Sequence, residues 1–257
     1  YQGLREQHAN RKERITYVPF AEARRNRFQP EWKPQDIYQP SFTGVKVFED
    51  YSISELRKYI DWSPFFMTWE FKGRYPRIFE HKDYGEEAKK LFDDALAMLD
   101  QIEKEQWLKA KAVFGLFPAN SNADDIEVYS DETREVVKMR LHQMRQQSKK
   151  AAGQPNFSLA DFVAPRESGL KDYIGGFAVT TGLNIETKIK EFEADHDDYN
   201  SILLKALADR LAEAFAERMH QRVRMEFWGY AADEQLDNDA LIAEKYQGIR
   251  PAPGYPA

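Results

Sequence analysis

The chain has 257 residues, 42% hydrophobic and 14% aromatic, a globular composition long enough for one large domain or two small ones with a sizeable core. Its net charge of -6 comes from 37 basic and 43 acidic residues interspersed along the chain, which excludes the basic field a nucleic-acid partner needs; no stretch approaches the ~20 apolar residues of a membrane span. The absence of cysteine excludes disulfides, thiolate nucleophiles and cysteine-ligated zinc, and with no apolar leader in view the expectation is a cytoplasmic protein with no membrane partner.

Residues 1–16 carry Arg5, Glu6, Arg11, Lys12, Glu13 and Arg14 with almost no apolar period and read as a solvated arm or linker. The first residue is Tyr1 instead of methionine, as expected of a piece of a longer polypeptide. From Tyr17 to Val47, prolines at 19, 30, 34 and 40 interleave with Phe20, Phe28, Trp32, Tyr38 and Phe42, which predicts an extended strap whose rings dock on a body formed later. Ser52 to Glu55 is a capping box opening a helix to Ile60, and Pro64 prevents a smooth continuation, so Asp61 is expected at the C-terminal end of that helix. A carboxylate there opposes the helix dipole and needs a partner, unless it serves only as a turn residue. Residues 84–106 form an amphipathic core helix, with Ala88, Leu91, Phe92, Ala95, Leu96 and Leu99 on one stripe.

Val113 to Leu116 reads as a short buried strand ending at Pro118, Asp125 to Tyr129 as a half-buried strand, and the alternation of Val137, Met139 and Leu141 with Lys138, Arg140 and His142 as a third, although that run would also tolerate a helix. A fourth runs from Ile174 to Thr181, where paired Gly175 and Gly176 predict a bulge or a close backbone approach. Short strands with polar faces joined by turns predict an antiparallel or mixed sheet in an α+β fold. Asn184 to Ala194 is a helix, and a longer one starts at Asp197 or Asp198 and runs to about Met225, with Leu203, Leu207, Leu211 and Phe215 as its buried stripe. On that helix Glu213 stands among Ala212, Ala214 and Ala216, which allow close approach of another segment; Arg210 three residues earlier is the ordinary alternative partner. Asp237 or Asn238 caps a last helix to about Tyr246, which delivers Glu244. The histidines at 8, 81, 142, 196 and 220 show no metal-ligand spacing, and no catalytic or metal residue is predicted.

The final stretch, Glu244 to Ala257, sets Arg250, Tyr246 and Tyr255 among three prolines and two glycines. Proline fixes φ and removes amide donors, so this backbone is rigid and extended, a poor core element and a good template for a ligand. Arg250 offers a planar fork of donors for a carboxylate or phosphate, although a proline-rich tail with a surface arginine has the same pattern.

Arg250 to Tyr255 (RPAPGY) resembles the Arg-x-x-x-Gly-Tyr motif of the reactivation domain of cobalamin-dependent methionine synthase, the module that binds S-adenosylmethionine. Tyr59 to Trp69 (YIDWSPFFMTW), Gly115 to Asn120 (GLFPAN), Leu159 to Pro165 (LADFVAP), Asp172 to Thr180 (DYIGGFAVT) and Ala206 to Phe215 (ALADRLAEAF) resemble further blocks of that domain in the same order. The resemblance implies a single α+β domain, a twisted antiparallel sheet with surrounding helices, over 17–257. Residues 1–16 would then be the arm from a preceding cobalamin-binding domain. It implies binding of S-adenosylmethionine and presentation of its methyl group for reductive remethylation of oxidised cob(II)alamin, with the isolated chain not catalytically competent alone. A ligand-binding or interaction module without its own reaction is the rival reading. Cofactor contacts fall on Asp61, Glu213, Glu244, Arg250, Pro251, Ala252, Gly254 and Tyr255. Cobalamin would be held by the neighbouring domain of the same polypeptide, zinc would lie elsewhere in the full-length enzyme, and the electron donor would be flavodoxin or a related reductase. The family's domain continues beyond the position of Ala257, so this chain is expected to be truncated at that end.

Overall fold

Among residues 16–252, which the computed structural model describes, the strap is less extended than predicted. Pro19 stands at the N-cap of a short helix, α1 (Phe20–Arg25), and Pro34 opens a 3-10 turn (Pro34–Asp36), places where a missing amide costs nothing. Phe28 docks as predicted, its ring 5.4 Å from Phe157 and 5.6 Å from Phe162, while Phe20 and Tyr38 stay exposed. The end of the strap joins a strand the sequence reading missed, β1 (Gly44–Tyr51); Val45, Lys46 and Val47 are all exposed, so no apolar alternation announces it.

Ser52 caps α2 (Ile53–Leu56) by accepting a hydrogen bond from the Glu55 amide, and a 3-10 turn over Arg57–Tyr59 completes it. A new helix, α3 (Trp62–Thr68), follows directly, and this corrects the predicted place of Asp61. Asp61 is the N-cap of α3 and not the C-terminal end of α2, its Oδ1 accepting from the Ser63 amide at 2.9 Å. Pro64 does not block the helix because it lies in the first turn, where an amide has no intrahelical acceptor. The carboxylate therefore meets the positive end of a helix dipole instead of opposing the negative one.

Helix α4 (Gly85–Glu105) buries Ala88, Leu91, Ala95 and Leu99 as predicted, together with Met98 and Ile102. Strand β2 (Lys109–Asn122) is far longer than the short strand expected: Ala110, Ala112, Phe114 and Leu116 alternate inward, and the strand runs through Pro118. Antiparallel pairing joins it to β3 (Asp125–Tyr129) from Ala119↔Val128 to Asn122↔Asp125, and β3 to β4 (Val137–His142) with an irregularity between Val128 and Tyr129. With β5 (Asp172–Leu183) the sheet has five strands in the order β1-β2-β3-β4, β5 pairing with β2. No described atom lies within 4 Å of a Cβ built on Gly176, so of the two expectations for the glycine pair, a bulge or a close backbone approach, no close approach of the described chain is made at Gly176. Helices α5 (Ile185–Ala194), α6 (Asp198–Arg222) and α7 (Asn238–Ile242) follow, and a π-turn (Val223–Phe227) extends α6. The fold is thus α+β with an antiparallel sheet, as predicted. No described helix is long and apolar enough to cross a membrane.

The described chain forms two compact units, one of residues 16–43, 116–175 and 250–252, the other of Gly44–Gly115 and Gly176–Ile249. In the first, Ala119, Ile126, Ala160 and Val163 make a small core beside a buried Arg145, whose guanidinium donates to both Asp161 oxygens at 2.8 and 2.7 Å and to Asp124 at 2.6 Å. In the second, Leu203, Leu207, Leu211 and Phe215 of α6 are at most 1% exposed, and the Thr181 hydroxyl of β5 donates to the Ala208 carbonyl at 2.7 Å.

Candidate functional site

Asp61 is the best-defined of the predicted contacts. It is half-buried at the start of α3, beside Trp62, whose ring packs edge-on against Phe65 and Phe92. One carboxylate oxygen is taken by the Ser63 amide, and no other described residue bonds to the second. The start of α7 lies next to this segment: Asn238 Nδ2 donates to the Ile60 carbonyl at 3.3 Å. Asn238 Oδ1 is buried and finds no donor among the described residues. An acceptor oxygen on Asp61 and an unmet acceptor on Asn238 thus lie on neighbouring segments, a set whose chemistry suits a ligand that brings N–H or O–H donors.

Glu244 follows α7 by two residues and not from within it, because that helix ends at Ile242, short of the predicted Tyr246. Its backbone turns left-handed at φ 53, its amide donates to the Leu241 carbonyl at 2.9 Å, and its side chain is exposed. Glu213 is exposed on α6, and Arg210, its ordinary alternative partner, bonds Asp209 at 2.5 Å instead. Arg250 is half-buried, whereas Pro251 and Ala252 are exposed; these three belong to the other compact unit from Asp61, Glu213 and Glu244. Gly254 and Tyr255 lie outside the described residues.

The sequence reading passed over a buried charged cluster just upstream of Glu244. Arg224 is 0% exposed in the π-turn. Its Nε and Nη2 donate to the two oxygens of Glu234 at 2.8 and 2.6 Å, and its Nη1 lies 2.8 Å from Nδ1 of His220, which accepts the bond. The guanidinium carbon stands 4.2 Å from the ring centre of Tyr246, and the His220 ring meets Tyr246 edge-on at 4.8 Å. Tyr230 closes the group, near the charges of Arg224 and Glu234, and burial pushes its hydroxyl pKa up to about 12. The only signal in the sequence was an arginine four residues after a histidine near a helix end, a common pattern. Among the described residues no group of His, Asp and Glu could hold a metal ion.

A family model described as the activation domain of vitamin B12 dependent methionine synthase matches residues 52–257. The crystal structure of the MetH reactivation domain bound to AdoHcy matches this chain with a TM-score of 0.88 and 54% sequence identity, covering 93% of this chain and 73% of that one. The family match spans the segments that carry Asp61, Glu213, Glu244 and Arg250, and the chain belongs to the activation-domain family of vitamin B12-dependent methionine synthases.

Proposed function

We propose that this chain binds S-adenosylmethionine and presents its methyl group for the reductive remethylation of oxidised cobalamin in a methionine synthase. The observation that carries the reading is the AdoHcy held by the MetH reactivation domain, which matches this chain at 54% identity. AdoHcy is S-adenosylmethionine less the methyl group it transfers, so a domain that recognises one recognises most of the other. The residues present fit such a ligand: Asp61 offers an acceptor oxygen to the α-ammonium or a ribose hydroxyl, and Arg250 a donor fork to the α-carboxylate. Glu213 and Glu244 add negative charge suited to a sulfonium, and Pro251, Ala252, Gly254 and Tyr255 complete the proposed set of contacts.

When bound, S-adenosylmethionine supplies an electrophilic methyl group to a cobalamin that has received one electron from flavodoxin or a related reductase. The chain's own contribution is to bind, orient and hold that ligand toward a cobalamin-binding domain of the same polypeptide, which residues 1–16 would join to the domain of 17–257. Calorimetric titration of the folded chain with S-adenosylmethionine tests the reading, and heatless mixing at millimolar ligand sinks it. Addition of a cobalamin-binding domain and a one-electron reductant then tests remethylation by the appearance of methylcobalamin absorbance.

A further inference from the structure

The Arg224 cluster does more than end a helix. A buried guanidinium needs its charge answered inside the protein, and one carboxylate would suffice. Here the group is instead held from three separated positions: His220 on α6, Glu234 in the connection to α7, and Tyr246 beyond α7. Tyr246 precedes Arg250 by four residues, and Gly248 lies between them at φ 94. A Cβ on Gly248 would stand 2.9 Å from the Tyr230 hydroxyl, so the glycine permits a close approach that presses the chain onto Tyr230. Exposed chain with a left-handed glycine has many courses open to it; a ring over a fixed guanidinium and a glycine seated on a half-buried tyrosine leave few.

We infer that Arg224 is a positioning residue for ligand binding: by fixing Tyr246, with Tyr230 seating Gly248, it sets the course on which the chain reaches Arg250. The inference rests on the ligand reading given above. It places the determinant of affinity in side chains that touch no ligand, since Arg224 is enclosed and acts only through the segment it holds.

Tyr246 is the residue to substitute, because Arg224→Ala would strand a buried Glu234 and confuse unfolding with loosening. The 257-residue chain is titrated with S-adenosylhomocysteine, alongside hydrogen–deuterium exchange on peptides covering 244–252 and thermal melts. Tyr246→Leu, which removes the ring face, is expected to speed exchange over 246–252 and weaken binding about tenfold with the melting temperature unchanged. Tyr246→Phe keeps the face and is expected to bind as the unsubstituted chain does. The inference is overturned if Tyr246→Leu speeds exchange yet binds as tightly, or if it alters neither. Failure of the unsubstituted chain to bind is a different result: it removes the ligand reading, and this inference with it.

Discussion

At the scale of single residues, Asp61 is expected to serve two roles that one substitution can separate. Asparagine caps a helix about as well as aspartate, so Asp61→Asn should keep α3 and the melting temperature, whereas Asp61→Ala should cost about 1 kcal/mol in the loss of the Ser63 bond. Both should weaken binding of S-adenosylmethionine, because neither offers a carboxylate; full affinity in Asp61→Asn would leave Asp61 as a cap and nothing else. Arg250→Ala is expected to lower affinity about tenfold to a hundredfold in a titration, the loss of a charge-assisted contact worth roughly 1.5–3 kcal/mol. A third residue reports on pH. The Glu127 side chain has no exposed area, and burial alone would push its carboxyl up; the Asn122 amide, the Arg140 and Arg166 guanidinium groups and the Tyr129 hydroxyl outweigh that and hold it below its usual value. A depressed folded-state pKa contributes stability above the unfolded value, about 4.3, and loses it as pH falls through the folded one. Glu127→Gln should therefore cost roughly 1–3 kcal/mol in urea unfolding at pH 7, with the difference from the unsubstituted chain narrowing below about pH 4.

Helix α6 shows how much one element carries. Its inward line of Leu203, Leu207, Leu211 and Phe215 is almost wholly enclosed, and Asp197 caps its start by accepting from the Asn200 amide at 3.0 Å. These parts were legible because a 3.6-residue period and a cap are properties of adjacent residues. Its far end was not legible, since the π-turn over Val223–Phe227 takes up an extra residue that places Arg224 on the enclosed side. Arg224→Ala should destabilise the chain by about 3–5 kcal/mol, because Glu234, 6% exposed, is left charged and unanswered. Replacing both, as Arg224→Met with Glu234→Leu, should recover much of that loss in the same melt while leaving ligand affinity low. A double variant with full affinity would show that the ion pair serves stability alone.

For the molecule as a whole, the ligand reading predicts linkage between binding and stability. A ligand at a hundred times its dissociation constant adds about 2.7 kcal/mol, so S-adenosylhomocysteine should raise the melting temperature of the unsubstituted chain and, at the same concentration, raise that of Arg250→Ala less, by the equivalent of about 0.4–1.4 kcal/mol for the tenfold to hundredfold weaker binding given above. The sequence by itself determined the α+β class, helices α4 and α6, strands β3 and β4, and the family, through six short blocks in a fixed order. Each of these is written in contiguous residues, where period and order can be counted. The tertiary structure alone decided what Pro64 does, since a proline ends one helix or begins the next according to which segment packs behind it, and that choice made Asp61 a cap. It alone brought His220, Glu234 and Tyr246 around Arg224, and Arg140 and Arg166 to Glu127. Their spacings along the chain follow no period, because the pairing of enclosed charges is fixed by where distant segments meet and by the cost of leaving any one of them unanswered.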